Sequence, residues 1–189
     1  MSPSSHIFDP YYHTYERVRA SPVLFNAVMY ATCRFMRPEL SEQCFDLAET
    51  VINRMLRIGA ATIPLVQALL ALVYWKKPKD RTAYVKLGTA VRLIQQMRVE
   101  WPNEPRSFAS EEQERAAVDV ERTTYSEFSS SVTELMPDAF GMEWSYSGMF
   151  RLPFMSGSII PDGPGLRAWA ERHGHLNVAG DYFKAFMNE

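Results

Sequence analysis

The sequence predicts an all-α fold, an antiparallel helix-hairpin array with an irregular C-terminal third. Three observations carry this. Apolar residues recur at helical spacing over the first two-thirds, behind repeated helix-start signals. The stretch from Ile63 to Met97, "IPLVQALLALVYWKKPKDRTAYVKLGTAVRLIQQM", is an apolar run, a basic kink and a second apolar run. Strand signals are sparse, and from Ser129 onward Ser, Gly and Pro accumulate.

The elements follow in order. Asp9-Pro10 reads as an N-cap with proline at the first helical position, opening a helix through "YYHTYERVRA". Ser21-Pro22 repeats the signal and opens "VLFNAVMYATCRFM". Leu24, Val28, Ala31 and Phe35 share one face there, as do Phe25, Met29 and Thr32. Pro38 interrupts it. Ser41 opens the next helix, whose apolar stripe is Cys44, Leu47, Ala48, Val51, Met55 and Ile58, with Gly59 as the stop. Thr62 caps the run that follows, and Pro64 is tolerated in a first turn. Apolar residues surround this helix on most faces, so it should be central. Pro78 breaks the chain and Asp80 caps the partner helix, with Tyr84, Leu87, Val91 and Ile94 facing the core. Gly88 and Ala90 should let another helix approach closely. Ser110 and Gln113 form a capping box that opens "EEQERAAVDVERTTYSEF". One short helix is expected at Val132–Met136, and two more near Leu166–His173 and Val178–Met187.

Composition narrows the function classes. The 189 residues suit one domain, or one domain with a loosely attached tail. Net charge is −2, so no basic face argues for nucleic acid. A membrane span needs about 20 mainly apolar residues. Ile63–Trp75 is shorter, and Arg81, Lys86 and Arg92 make the second run costly in lipid. No membrane partner is expected. "MSPSSHIFDPYYH" carries no signal-peptide pattern, so a reducing compartment is the default.

No G-x-S-x-G, H-E-x-x-H, Walker loop or complete G-x-G-x-x-G is present, and no enzyme is expected. Gly163-Pro164-Gly165 is a turn. His173-Gly174-His175, with Glu171 and Asp181 nearby, contains ligand types suited to zinc. It is read instead as a helix end, where histidine is favoured without metal. His6 and His13 are read as solvent-facing. Cys33 and Cys44 lack metal-site spacing and are read as small buried apolar residues. Lys76, Lys77, Lys79 and Arg81 are read as a solvated connection, and Glu111–Arg115 as an exposed paired face. Tyr30, Tyr74, Trp75 and Tyr84 suit a pocket lining and core packing equally. No catalytic, cofactor-binding or metal residue is assigned.

Taken together, "FDPYYHTYERVRASPVLFNAVMYATCRFM", "LAETVINRML", "LVQALLALVYWKKPKDRTAYVKLGTAVRL", "ERT" and "SYSGMFRLPFM" resemble the fungal-specific transcription factor domain. This is the middle homology region of fungal binuclear zinc-cluster regulators, including the xylanolytic-activator type. The resemblance implies an all-helical regulatory domain over residues 8–155, truncated or disrupted after residue 124, with 156–189 a short helical tail. It implies a nuclear protein controlling transcription, whose partners are proteins of the transcription machinery and, in some relatives, a small-molecule effector. Zinc and DNA are bound in such regulators by an N-terminal six-cysteine cluster. With two cysteines, this chain offers no residue for either, so no cofactor is expected within it. The alternative is a free-standing helical protein-interaction scaffold without DNA binding. The chain departs from the family where a glycine-containing "LGLH"-like end usually follows "AVRLIQQM". Arg98, Val99, Glu100 and Trp101 stand there. Thr124 stands where a tryptophan is usual, and the stretch between "ERT" and "SYSGMF" is longer than usual and serine-rich.

Overall fold

The computed structural model describes residues 8–77, 80–99 and 107–133. It is all-α, with no strand among the described residues. Six α-helices follow one another among the described residues: α1 (Tyr15–Ala20), α2 (Pro22–Met36), α3 (Ser41–Arg57), α4 (Ile63–Tyr74), α5 (Thr82–Met97) and α6 (Glu111–Thr133). A 3-10 turn, Pro38–Leu40, joins α2 to α3. The chain divides into two compact units, Met1–Arg98 and Val99–Glu189.

In the first unit α4 is the hub. It packs against α2, α3 and α5, while α2 also packs against α3 and α1. Every residue from Leu65 to Val73 is buried. A helix apolar around its whole circumference can only be stable when covered on all sides. Each Leu or Val so buried contributes about 1.5–3 kcal/mol. No helix among the described residues is long and apolar enough to cross a membrane.

Several local signals act as the sequence predicts. Ser21 stands in extended conformation before Pro22, its carbonyl accepting the Phe25 N–H at 2.8 Å. Gly59 adopts φ 71°, the left-handed geometry that ends α3. The Gly59 and Ala60 N–H groups then reach back to the Leu56 and Met55 carbonyls, both at 3.0 Å, the paired bonds of a Schellman stop. Thr62 precedes α4, with its carbonyl accepting from Leu65 and Val66 at 3.1 Å. Asp80 caps α5 through its carboxylate, which accepts from the Thr82 N–H at 2.7 Å.

Other readings are corrected. Asp9-Pro10 begins a turn, in which the Asp9 carboxylate accepts the Tyr11 N–H at 2.8 Å. The helix starts later, with the Thr14 hydroxyl accepting the Arg17 N–H at 3.4 Å. His13 is half-buried rather than solvent-facing, edge-on to Phe8 and Tyr12. Phe35 is 73% exposed, Leu47 56%, Ile58 72% and Tyr84 53%. Leu24 and Ala31 on α2, Ala48 on α3, and Leu87 and Ile94 on α5 are buried as the spacing predicts, and the buried faces also take in Val23, Ala27 and Tyr30, Ile52, and Ala83 and Ala90. Gly88 does not mediate a close helix approach. A Cβ there would meet the Arg92 side chain at 3.5 Å, an ordinary contact.

Arg98 ends α5 at φ 51° and ψ 43°, its N–H donating to the Gln95 carbonyl at 3.1 Å. Left-handed backbone costs a non-glycine residue about 1–2 kcal/mol. Part of that gain is offset because glycine is freer in the unfolded chain. Arg98→Gly is therefore expected to stabilise the protein by about 0.5–1 kcal/mol. A rise in the urea midpoint at constant slope would show it, and an unchanged or lower midpoint would contradict it.

In the second unit α6 opens as anticipated. The Gln113 N–H donates to the Ser110 hydroxyl at 3.2 Å, and the Gln113 amide oxygen accepts the Ala109 N–H at 3.1 Å. The returning bond thus lands one residue before the serine. Glu111 and Arg115 pair at 2.8 Å. Asp119 and Arg122, both buried, pair at 2.8 Å, and Thr124 is buried with its hydroxyl on the Val120 carbonyl at 2.9 Å. Val132 and Thr133 end α6 rather than opening a short helix. Residues 134–136 and the two tail helices lie outside the described residues.

Candidate functional site

Polar and aromatic side chains of the first unit converge where α4 gives way to α5. Helix α2 supplies Tyr30 and Arg34, one turn apart and therefore on one face. The Tyr30 hydroxyl donates to the Trp75 carbonyl at 2.9 Å. The Arg34 guanidinium donates to that same carbonyl and to the Lys76 carbonyl, the latter at 2.7 Å. A helix leaves its last carbonyls without intrahelical partners. Just beyond α4, two carbonyls find theirs on a neighbouring helix, where a single guanidinium nitrogen serves both.

Helix α3 supplies the other wall. The Phe45 ring lies 5.1 Å from that of Tyr30, centroid to centroid. The Lys86 Nζ stands 5.4 Å from the Phe45 centroid and the Lys77 Nζ 5.9 Å, a range in which a cation is drawn to an aromatic face. Lys77 also pairs with Glu42. Lys86 is buried, pairs with Glu49 at 2.7 Å and donates to the Thr82 hydroxyl. One aromatic ring and two acidic residues of α3 thus hold the connection and the start of α5.

The electrostatics agree with this geometry. Burial pushes the Tyr30 phenol above its ordinary range, against the pull of the Arg34 and Lys77 charges and the Arg34 hydrogen bond. Burial also opposes ionisation of Asp80. The Thr82 hydroxyl and N–H overcome it, and with the nearby Lys86 and Lys76 charges they hold that carboxyl below its usual range. Lys77 is raised, chiefly by its hydrogen bond to Glu42.

A raised Tyr30 value means that the folded state favours the neutral phenol. The associated stability is complete below the unfolded value of about 10 and is lost as pH climbs through the folded value. Tyr30→Phe is expected to cost about 0.5–1.5 kcal/mol at neutral pH through the lost hydrogen bond. The gap between the two proteins should then narrow above pH 10. Denaturant titrations at pH 7 and above 10 would show it, and a constant gap would contradict it.

The basic connection therefore differs from its sequence reading. Lys77 is docked on α3, and the Lys76 backbone is tied to α2. Arg81 is exposed, as anticipated, and Lys79 lies outside the described residues. Tyr30 packs in the core, completely covered, whereas Tyr84 lies exposed. Tyr74 and Trp75 stack edge-on at 6.4 Å. Cys33 is buried, as expected, and Cys44 half-exposed, with 3.5 Å between the two sulfurs. Glu171, His173, His175 and Asp181 lie outside the described residues, as does His6. Among the described residues no three His, Cys, Asp or Glu side chains gather as a metal would require. Sequence reasoning missed Arg34 and Lys86. A signal existed for Lys86, which sits three residues after Ala83 and four before Ala90, on the face of α5 that is buried.

These helices lie within the span that places the chain among known proteins. A model described as the fungal specific transcription factor domain matches residues 5–136. The chain belongs to that family. Over 96 residues it is also 37% identical to Protein priB of Lentinula edodes. That alignment covers 49% of this chain and 15% of the relative, so the chain spans only a small part of the protein it matches. No solved structure matches. Family membership identifies the helical array as a regulatory region of fungal transcription factors. Every residue of the junction around Phe45 falls inside the matched span.

Proposed function

We propose that this chain controls transcription in the nucleus through contacts that its helical array makes with proteins of the transcription machinery. Its role is regulatory rather than catalytic. Zinc and DNA are held by a module outside these residues, and the chain itself takes no cofactor and assigns no residue to catalysis or metal. The regulatory domain covers residues 8–155, and 156–189 form a short tail. The match of the family model to residues 5–136 carries this reading. The hub-and-hairpin packing of α2–α5 supports it, because it leaves outer helix faces for partners.

The test is a reporter assay. Residues 1–189 are fused to an unrelated DNA-binding module with its own reporter. The fusion is expected to change reporter output several-fold relative to the module alone, upward or downward. The same fusion carrying a substitution that unfolds α4 should lose the effect. Unchanged output from an abundant, folded fusion would favour the scaffold reading instead.

A further inference from the structure

Cys33 lies near the end of α2 and Cys44 in the first turns of α3, with the 3-10 turn Pro38–Leu40 between them. The two sulfurs are 3.5 Å apart and both thiols are free. A disulfide needs about 2.05 Å between sulfurs, so closure requires only a small side-chain adjustment. We propose that Cys33 and Cys44 form a redox-modification site, a dithiol that closes reversibly to a disulfide tying α2 to α3.

Their neighbours give the bond a consequence. Cys33 sits between Tyr30 and Arg34, which hold the α4–α5 connection. Cys44 sits between Glu42 and Phe45, which hold Lys77. A covalent link there fixes the two walls of the junction to each other. This inference stands on geometry and is independent of the regulatory reading.

The oxidant class is a low-molecular-weight disulfide such as glutathione disulfide. Cys44 is half-exposed and takes the first step, while buried Cys33 resolves. The Cys44 thiol loses its proton and its sulfur attacks one sulfur of the oxidant. A mixed disulfide forms, and one glutathione thiolate leaves and is protonated. The Cys33 sulfur, also deprotonated, then attacks the Cys44 sulfur and expels the second glutathione. Two electrons pass from the two protein thiols to the oxidant, and both protons end on glutathione. Burial, followed by the neighbouring Cys33 thiol, holds the Cys44 thiol above its ordinary range. Because the thiolate is the nucleophile, exchange is slow at neutral pH, and the site responds to sustained rather than momentary oxidation.

The test equilibrates the full chain in mixtures of reduced and oxidised glutathione, quenches by alkylation and analyses unreduced peptides by mass. The two cysteines should leave the alkylated pool together, a Cys33–Cys44 linked peptide should appear, and dithiothreitol should reverse it. The thermal midpoint of the oxidised chain should rise by several degrees, as expected for a cross-link that constrains the unfolded state. Cys44→Ser, at a half-exposed position, should abolish both the linked peptide and the shift. Separate glutathione adducts, cross-linked pairs of chains, or two thiols still alkylated at the oxidising extreme would each overturn the site. A linked peptide without the thermal shift would overturn the lock.

Discussion

Leu69→Asp should leave the first unit unfolded. Leu69 sits at the centre of α4, 2% exposed, amid neighbours buried on every side of the helix. An aspartate there must either stay charged without a partner or take up a proton, and both routes cost several kcal/mol. The lost packing adds the cost of a large-to-small core change, about 2–5 kcal/mol. The sum rivals the whole stability of a typical domain, about 5–15 kcal/mol. Circular dichroism should lose most of its helical signal at room temperature, and the cooperative melt should vanish. A variant that kept its spectrum and melting temperature would refute the central placement of α4. Leu69→Ala offers a graded companion, destabilised yet folded.

Arg34→Ala should produce the second-largest loss. Its guanidinium holds the Trp75 and Lys76 carbonyls, 41 and 42 positions further along the chain. Hydrogen bonds to charged groups contribute about 1.5–3 kcal/mol each when part-buried. With two bonds to one side chain and partial access for water, a total of about 2–4 kcal/mol is expected. The melting temperature should fall by on the order of 10 °C. Arg34→Lys should recover only part of it, because an ammonium is more strongly hydrated than the guanidinium nitrogen that meets both carbonyls here and gives up more water on docking. A loss no larger than that of an exposed-site control such as Arg92→Ala would show that the two carbonyls do not depend on this side chain.

The features legible in the sequence are those that local chemistry decides. Ser21-Pro22, Gly59, Asp80 and the Ser110–Gln113 pair each act within a few residues of themselves, and each marks a helix end in the structure. The nine consecutive buried residues of α4 were legible for a related reason, since a helix apolar all round has one stable environment. Which way an amphipathic helix turns is another matter. On α2 and α3 apolar residues occupy more than one face, so periodicity offers rival stripes. Packing of α2 on α3 and α4 chooses between them and leaves Phe35 and Leu47 in water. Tyr84 illustrates the same ambiguity on α5, where the smaller Ala83 and Ala90 are buried instead. The junction around Phe45 was illegible because it joins residues 30, 45, 77 and 86, which no local spacing relates. The sulfur pair was missed likewise, since an 11-residue separation means nothing until the 3-10 turn reverses the chain.

Because Leu65–Val73 of α4 are buried without a break, a genetic screen should sort alleles by position. Changes within Leu65–Val73 should be recovered as null or temperature-sensitive, curable by overexpression or a lower growth temperature, since they deplete the protein without altering what it recognises. Alleles that redirect output at normal abundance should fall on the outward sides of the flanking helices. An allele map with those two classes interchanged would mean that the innermost rod of this molecule is touched directly by something it answers to.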